Sequence, residues 1–262
     1  MNYKVNSKQR SKEYRVRILE ISQKVPALHI AGAFSCLEIV DAIYFNFVRG
    51  DDSFILSKGH GAIAQYVVLE KLGILRSDDL DKYCTNEGLL GCHPDRGNPG
   101  IIASTGSLGH GIGLAVGIAA GKKIKNNAGN VYVVLSDGEL QEGSTWENLM
   151  MAANLNLNNL IIFVDHNGFQ SFGKTADTHP SFYPINTKFE SFGWEVAETY
   201  GHDQQKISDA VKNRQLKKPF VLICNTTKGK GVSYMENAPI WHYRSPNAGE
   251  LALALKEVMD EE

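Results

Sequence analysis

The chain is predicted to fold as an α/β protein, an open parallel sheet with helices on both faces, and three observations predict it. Two short runs rich in β-branched and apolar residues, 131–135 and 160–164, read as strands buried on both faces. Between them Trp146, Leu149, Met150 and Ala153 recur at helical spacing, so the segment reads as a β-α-β unit. Each run ends in a polar turn, Ser136-Asp137-Gly138-Glu139 after the first and Asp165-His166-Asn167 after the second. Open α/β sheets bind their ligands at such carboxyl ends.

The remaining elements follow in order. Apolar spacing predicts helices over 14–22 and 35–47, a short strand Ser53–Leu56, and a helix over 61–72. Residues 84–105 hold Gly88, Gly91, Pro94, Gly97, Pro99 and Gly100, too many breakers for regular structure. Loops of that length in a folded domain are usually functional or disordered, and His93 lies in this one. Gly106-Ser107-Leu108-Gly109-His110-Gly111-Ile112-Gly113 then opens an apolar helix through Val116 and Ile118. A dinucleotide fingerprint would need a preceding strand and an acid some 20 positions on; Ala103-Ser104-Thr105 is a poor strand, and 126–130 offers no acid. These glycines are better explained by close approach of backbone to a flat ligand. A last buried strand is expected over 220–223.

With 262 residues, 43% of them hydrophobic, and a net charge of −2, the chain can bury a sizeable core and has no basic excess for nucleic acid. One domain over residues 1–262 is expected, since no repeat, low-complexity tract or linker divides it. No apolar run approaches the roughly 18 residues of a membrane span, and residues 1–24 lack a signal-peptide core, so the cytoplasm is the expected location. Cys36, Cys84, Cys92 and Cys224 are scattered and read as packing residues.

The two polar turns carry the chemistry. Mg²⁺ prefers oxygen ligands and usually takes one or two carboxylates together with phosphates and water. Asp137 offers a carboxylate and, about thirty residues later, Asn167 an amide oxygen. Gly138 leaves space for backbone to approach a bulky anion at the start of a helix. Either turn alone is ordinary strand-ending punctuation; the pair, on neighbouring strand tips, points to one ion and a diphosphate. Five of the eight histidines, His29, His60, His93, His110 and His242, lie beside glycine, proline or small polar residues. Imidazole suits a reaction that makes and breaks carbonyls near neutrality. Lys228 and Lys230 read equally well as phosphate ligands and as a solvated loop after a strand.

Ser136-Asp137-Gly138-Glu139-Leu140-Gln141-Glu142-Gly143 with Asp165-His166-Asn167 resembles the thiamine diphosphate motif in its transketolase version, with Ser136 where the family usually has glycine. Ser57-Lys58-Gly59-His60-Gly61, Gly91-Cys92-His93-Pro94, Ala27-Leu28-His29-Ile30-Ala31-Gly32, and Thr227-Lys228-Gly229-Lys230-Gly231-Val232 with Trp241-His242 are similar to further transketolase motifs. In the third of these, Leu28 and Ala31 replace glycines. The resemblance implies the thiamine diphosphate-binding fold, its diphosphate-binding domain. It implies a divalent ion, Mg²⁺ or else Ca²⁺ or Mn²⁺, held by Asp137, Asn167 and the Phe169 carbonyl. It further implies coenzyme contacts from His60, Gly106, Leu108, Gly138 and His242, with Gly106 at the aminopyrimidine and Leu108 propping the bent coenzyme. His29 and His93 would bind the hydroxyls or carbonyl of a sugar donor, while His60 and His242 neighbour the reacting carbon.

In that family a glutamate on a second domain activates the pyrimidine ring, and 262 residues have no room for that domain. The expectation is therefore the N-terminal subunit of a split transketolase. A separately encoded pyrimidine-binding subunit would complete it, in an α2β2 assembly acting on a sugar or sugar phosphate. Glu142 and Glu147 read as interface acids facing that partner, near its activating glutamate, or as a solvated helix face; Glu142 is the better candidate for the interface acid and is counted with the catalytic residues His29, His60, His93 and His242. Two alternatives stand beside it: the α subunit of a thiamine-dependent 2-oxo acid dehydrogenase or decarboxylase, which shares the Asp-Gly to Asn pattern, and a non-catalytic scaffold that keeps the fold, against which Asp137, Asn167, His60 and His242 speak. The spread of histidines favours transketolase.

Overall fold

The computed structural model describes residues 6–171 and 173–260. Its strands are β1 (Ser53–Leu56), β2 (Val131–Ser136), β3 (Leu160–His166), β4 (Glu195–Tyr200) and β5 (Phe220–Asn225), all parallel, in the order β1-β2-β3-β5-β4. The helices are α1 (Ser7–Ser22), α2 (Ile30–Ala42), α3 (Ala62–Lys71), α4 (Ser77–Asp81), α5 (Gly111–Ile124), α6 (Gly143–Asn154), α7 (Thr175–Thr178), α8 (Ile185–Ser191), α9 (Gln204–Lys212) and α10 (Ala248–Asp260).

Alternate strand residues leave for opposite sides of the sheet. Tyr132, Val134, Ile161, Phe163 and Leu222 join a core with α1, α2, α3, α9 and α10; Val131, Val133, Ile162, Val164 and Ile223 join a second core with α5, α6 and α8. Both faces are covered, which is why β2, β3 and β5 are apolar up to their polar carboxyl ends rather than alternating. The predicted open parallel α/β sheet is the fold observed.

The connections step from β2 to β3 through α6 and on to β4 through α8, both over the second face. The return to β5 reverses direction, and a right-handed crossover can reverse only by changing face, so α9 lies on the first. Chains leaving the adjacent strands β3 and β5 therefore part to opposite sides, toward α8 and α10. A crevice opens at their carboxyl ends.

Element boundaries differ from expectation in ways the chemistry explains. The first helix begins earlier than residue 14, at Ser7, because the Asn6 side chain accepts from Gln9 N and caps it. The second begins at Ile30 rather than 35, and a π-turn, Ile43–Phe47, carries it to its expected end. Together Ile30–Phe47 is long and apolar enough to cross a membrane, mean hydropathy 1.4, although no unbroken apolar run was expected to reach that length; 83% of it is buried inside the protein. A helix apolar all round is what a two-layer core demands of its central element. Met150 is exposed and Trp146 only half-buried, its ring against Phe182, Phe189 and Phe192. Residues 84–105 are irregular apart from one bridge between Arg96 and Asn98. Their end folds back where Thr105 N donates to Pro94 O (3.2 Å) and Thr105 Oγ1 to Leu56 O (2.7 Å). Those bonds bring His93 and Gly106 to the strand tips.

Candidate active site

The turn after β2 and the turn after β3 interlock. Ser136 pairs with Asp165 in register, and Asp137 N donates to Asp165 O (3.3 Å). Asp137 Oδ1 accepts from Gly138 N (2.9 Å) and Oδ2 from Gly168 N (2.6 Å), so the carboxylate spans from one turn to the residue following Asn167. Asp137 is 1% exposed, and burial pushes its carboxyl up to about 7, against the pull of His166. Asn167 Oδ1 accepts from Phe169 N (2.9 Å), while its Nδ2 donates to Ser35 Oγ (3.0 Å). Each of these oxygens keeps a lone pair.

Beneath the turns lies a closed polar network. Lys58 Nζ donates to Asp165 Oδ2 and to Gly32 O (2.9 Å). Asp165 Oδ1 accepts from Ser35 Oγ and Thr226 Oγ1, both at 2.5 Å. Lys58 and Asp165 are both wholly buried. Burial alone would raise the Asp165 carboxyl, but the Lys58 ammonium holds it below its usual value; burial would lower Lys58, and Asp165 holds it above. Ser35 links this pair to Asn167, so the amide is oriented from below.

A cavity of ≈390 Å³ opens over this floor. The imidazoles of His29, His60, His93 and His242 converge on it: ring centroids lie 5.6 Å apart for His29 and His60, 6.0 Å for His29 and His93, 5.3 Å for His29 and His242, and 5.6 Å for His60 and His242. Burial first, then neighbouring Lys228, pushes His242 down to about 3; burial, then His93 and Lys58, pushes His29 down to about 4; His60 falls well below its ordinary value for the same reasons. These three rings are neutral at pH 7. Lys228, drawn down to about 8 by burial and by Lys58, is 2% exposed and donates to Gln170 O and His242 Nδ1, both at 3.1 Å. With Nδ1 accepting, His242 carries its proton on Nε2.

The glycine-rich segment forms a further wall through Gly106 and Leu108. Gly106 has φ +150, and a Cβ there would lie 2.8 Å from His93 Cδ2. Gly109 has φ +78, and its Cβ would meet Ser144 Oγ at 2.3 Å. Buried Glu139 ties this segment down, accepting from Ser57 Oγ (2.5 Å) and Gly109 N (2.9 Å).

Most of the residues named from the sequence are brought together. His29, His60, His93, His242, Gly106, Leu108, Gly138, Glu142, Asn167 and Phe169 line the cavity, and Asp137 lies under its floor between Ser136 and Gly138. Glu142 is exposed at the rim, whereas Glu147 and His110 do not line the cavity. The two lysines separate: Lys228 faces the cavity, Lys230 turns away to Glu236 (3.5 Å). Sequence reasoning assigned no role to Lys58, Glu139, Ser35 or Thr226. The first two stand inside the quoted motifs, so a buried charge in a motif was the available signal.

The donor set fits a hard cation beside a phosphate group. The Asp137 carboxylate reaches the residue after Asn167, and among the described residues no cationic side chain is hydrogen-bonded to it; among the same residues no cluster of three or more His, Cys, Asp or Glu side chains stands ready to hold a metal alone. A metal here would draw its other oxygens from backbone, phosphate or water.

The family described as "Transketolase, thiamine diphosphate binding domain" matches residues 38–257. Over 264 residues the chain is 39% identical to an apulose-4-phosphate transketolase subunit of Actinobacillus succinogenes, covering 96% of this chain and 95% of that one. It is 36% identical over 230 residues to the 6-deoxy-6-sulfo-D-fructose transketolase subunit SqwG of a Clostridium species, with 83% of each covered. Its fold superposes on the transketolase of Campylobacter jejuni with a TM-score of 0.86 and 25% identity, over 99% of this chain but 43% of that one. The transketolase of Leishmania mexicana gives 0.86 and 25%, over 95% and 41%. The chain thus spans about two fifths of those solved transketolases.

Proposed function

The chain belongs to the transketolase family and carries its thiamine diphosphate binding domain, and from that premise we propose that it is the N-terminal subunit of a two-subunit transketolase that moves a two-carbon ketol unit between sugars or sugar phosphates. The observation that carries the proposal is the meeting, over one floor, of the Asp137–Asn167 pair with four imidazoles and Lys228.

Asp137, Asn167 and the Phe169 carbonyl hold Mg²⁺ or a similar divalent ion, and Gly138 leaves room for the diphosphate. Lys228, a buried cation in the same wall, faces that anion. When bound, thiamine diphosphate supplies the carbon nucleophile that attacks a ketose carbonyl and the electron sink that lets a carbon–carbon bond break. The chain's own part is orientation and proton placement. His242 presents Nε2–H to the cavity because Lys228 occupies Nδ1. Neutral imidazoles each offer one donor and one acceptor, which suits His29 to the hydroxyls and carbonyl oxygen of a sugar and His60 to the reacting centre; His93, in the same wall, binds the same sugar oxygens.

The two apulose-4-phosphate transketolase subunits match along nearly their whole length, which supports a separate partner subunit; in this reading that partner bears the pyrimidine-binding domain and the assembly is α2β2. Glu142, exposed at the rim, faces that partner. The assembly works in the cytoplasm, with residues 1–262 forming one domain. Ketol transfer assayed with this chain, its partner, thiamine diphosphate and Mg²⁺ should require all four; turnover by this chain without the partner would refute the two-subunit reading.

A further inference from the structure

Of the four cysteines, Cys36 and Cys224 are buried in the core, whereas Cys84 is exposed and Cys92 half-buried. The last two share the breaker-rich segment that delivers His93, and the backbone between them is tied into a closed turn. Cys84 N donates to Leu90 O (2.8 Å) at its neck, and Gly88 N to Thr85 O (3.1 Å) within it. Tyr83 and Leu90, 3% and 1% exposed, anchor its two ends in the core. Tyr66 Oη lies within hydrogen-bond reach of Gly91 O (3.2 Å) and His93 O (2.9 Å), the carbonyls on either side of Cys92. Cys84 stands at φ +55, in the left-handed region that residues with a Cβ rarely adopt, so the turn imposes its position.

That turn brings the two thiols together. Cys84 Sγ is in hydrogen-bond contact with Tyr83 and with Cys92. Cys92 Sγ in turn lies 3.2 Å from His93 Nδ1. An imidazole beside a part-exposed thiol is the setting of a reactive cysteine, because the ring can take the thiol's proton. His93 lines the coenzyme cavity and packs so closely on Gly106 that a Cβ there would lie 2.8 Å from its ring. Exposed Cys84, half-buried Cys92 and His93 thus make a path from solvent to the cavity wall. Disulfides in reducing compartments are transient and redox-sensing rather than structural.

We propose that Cys84 and Cys92 are a redox-sensing pair that hydrogen peroxide converts to a disulfide, taking the Cys92 sulfur away from His93. His93 Nδ1 takes the Cys92 proton and the thiolate attacks one peroxide oxygen; the O–O bond breaks, the departing hydroxide leaves as water with that proton, and a sulfenic acid remains. The Cys84 sulfur then attacks the sulfenyl sulfur, the S–O bond breaks, and the second hydroxide leaves as water with the Cys84 proton. Two thiols lose two electrons and two protons, and one peroxide is reduced to two waters. A thiol reductant reverses the change. The effect on turnover rests on the reading of His93 as a sugar ligand: once its Nδ1 partner is withdrawn, the ring no longer holds the donor in place.

The test exposes the full chain, with its partner, to hydrogen peroxide, removes the excess with catalase, and reads both thiol state and turnover. Trypsin, cutting after Lys82 and Arg96, leaves both cysteines on one peptide, 83–96. That peptide should lose two hydrogens, and cleavage after Glu87 should leave its halves joined until a thiol reductant is added, while Cys36 and Cys224 stay reduced. Cys84→Ser should keep the activity of the reduced protein, abolish the cross-link and leave a sulfenic acid on Cys92 that dimedone traps; Cys92→Ser should show neither product. The KM for the donor sugar should rise roughly tenfold in the oxidised wild type, as for the loss of one hydrogen bond, and return on reduction. Oxidation without the cross-link within 83–96, or a cross-linked protein with an unmoved KM, overturns the proposal. Should ketol transfer be absent in both redox states, the reading of the coenzyme cavity fails, while the peptide masses still decide whether the pair forms.

Discussion

Asp137 carries the tension between stability and binding at this site. Burial pushes its carboxyl up to about 7, so without a cation the folded chain gains little from its charge. Asp137→Asn removes that charge and keeps an oxygen for Gly168 N, at the loss of the weaker contact from the adjacent Gly138 N. Coenzyme affinity in the presence of Mg²⁺ should fall at least a hundredfold by calorimetry, while the thermal midpoint stays level or rises; a lower midpoint with intact affinity would contradict the assignment. The imidazoles make the opposite statement about pH. His29 sits at about 4 and His242 at about 3 when folded, both depressed chiefly by burial, while the unfolded chain titrates near 6.5. Between those values the unfolded state binds more protons, so their contribution is intact above 6.5 and is lost as pH falls toward 4. Chemical denaturation across that window should show declining stability, with a shallower slope for His29→Gln/His242→Gln.

At the scale of elements, the tips of β1, β3 and β5 are joined by Lys58, Asp165 and Thr226 rather than by apolar packing. Removing one member of a buried pair strands the other: Lys58→Met should cost about 3–5 kcal/mol in unfolding free energy. It should also loosen Asn167, whose amide leans on Ser35 and Asp165. Little of this was legible in the sequence. The β-α-β unit was, because β2 and β3 are buried on both faces and therefore apolar along 131–135 and 160–164. β4 was missed for the converse reason: it is an edge strand, and Glu195, Glu198 and Thr199 break any apolar run. The histidine cluster could be read because each ring sits in a short motif resembling a family motif. The Lys58–Asp165 contact could not, since nothing local in either segment marks a partner on another strand. Lys228 and Lys230 look alike in the chain, and only burial of the first tells them apart.

Over the whole molecule, the site is assembled from segments spread from His29 to His242, and the reversal of strand order at β4 opens the crevice in which they meet. Such a site cannot form piecemeal. Its half-open rim at Glu142 and Leu108 is where a partner subunit is proposed to close over the ring end of the coenzyme, the diphosphate end lying against this chain. The central claim is that the turns after β2 and β3 grip one divalent ion together with a diphosphate. A crystal structure of the chain with its partner, thiamine diphosphate and Mn²⁺ tests it most directly, because Mn²⁺ scatters anomalously. The account predicts one strong anomalous peak bonded to a carboxylate oxygen of Asp137, the amide oxygen of Asn167 and the Phe169 carbonyl, at roughly 2.0–2.3 Å and touching the diphosphate. A coenzyme bound with its metal elsewhere, or with Asp137 and Asn167 turned from it, would contradict the account.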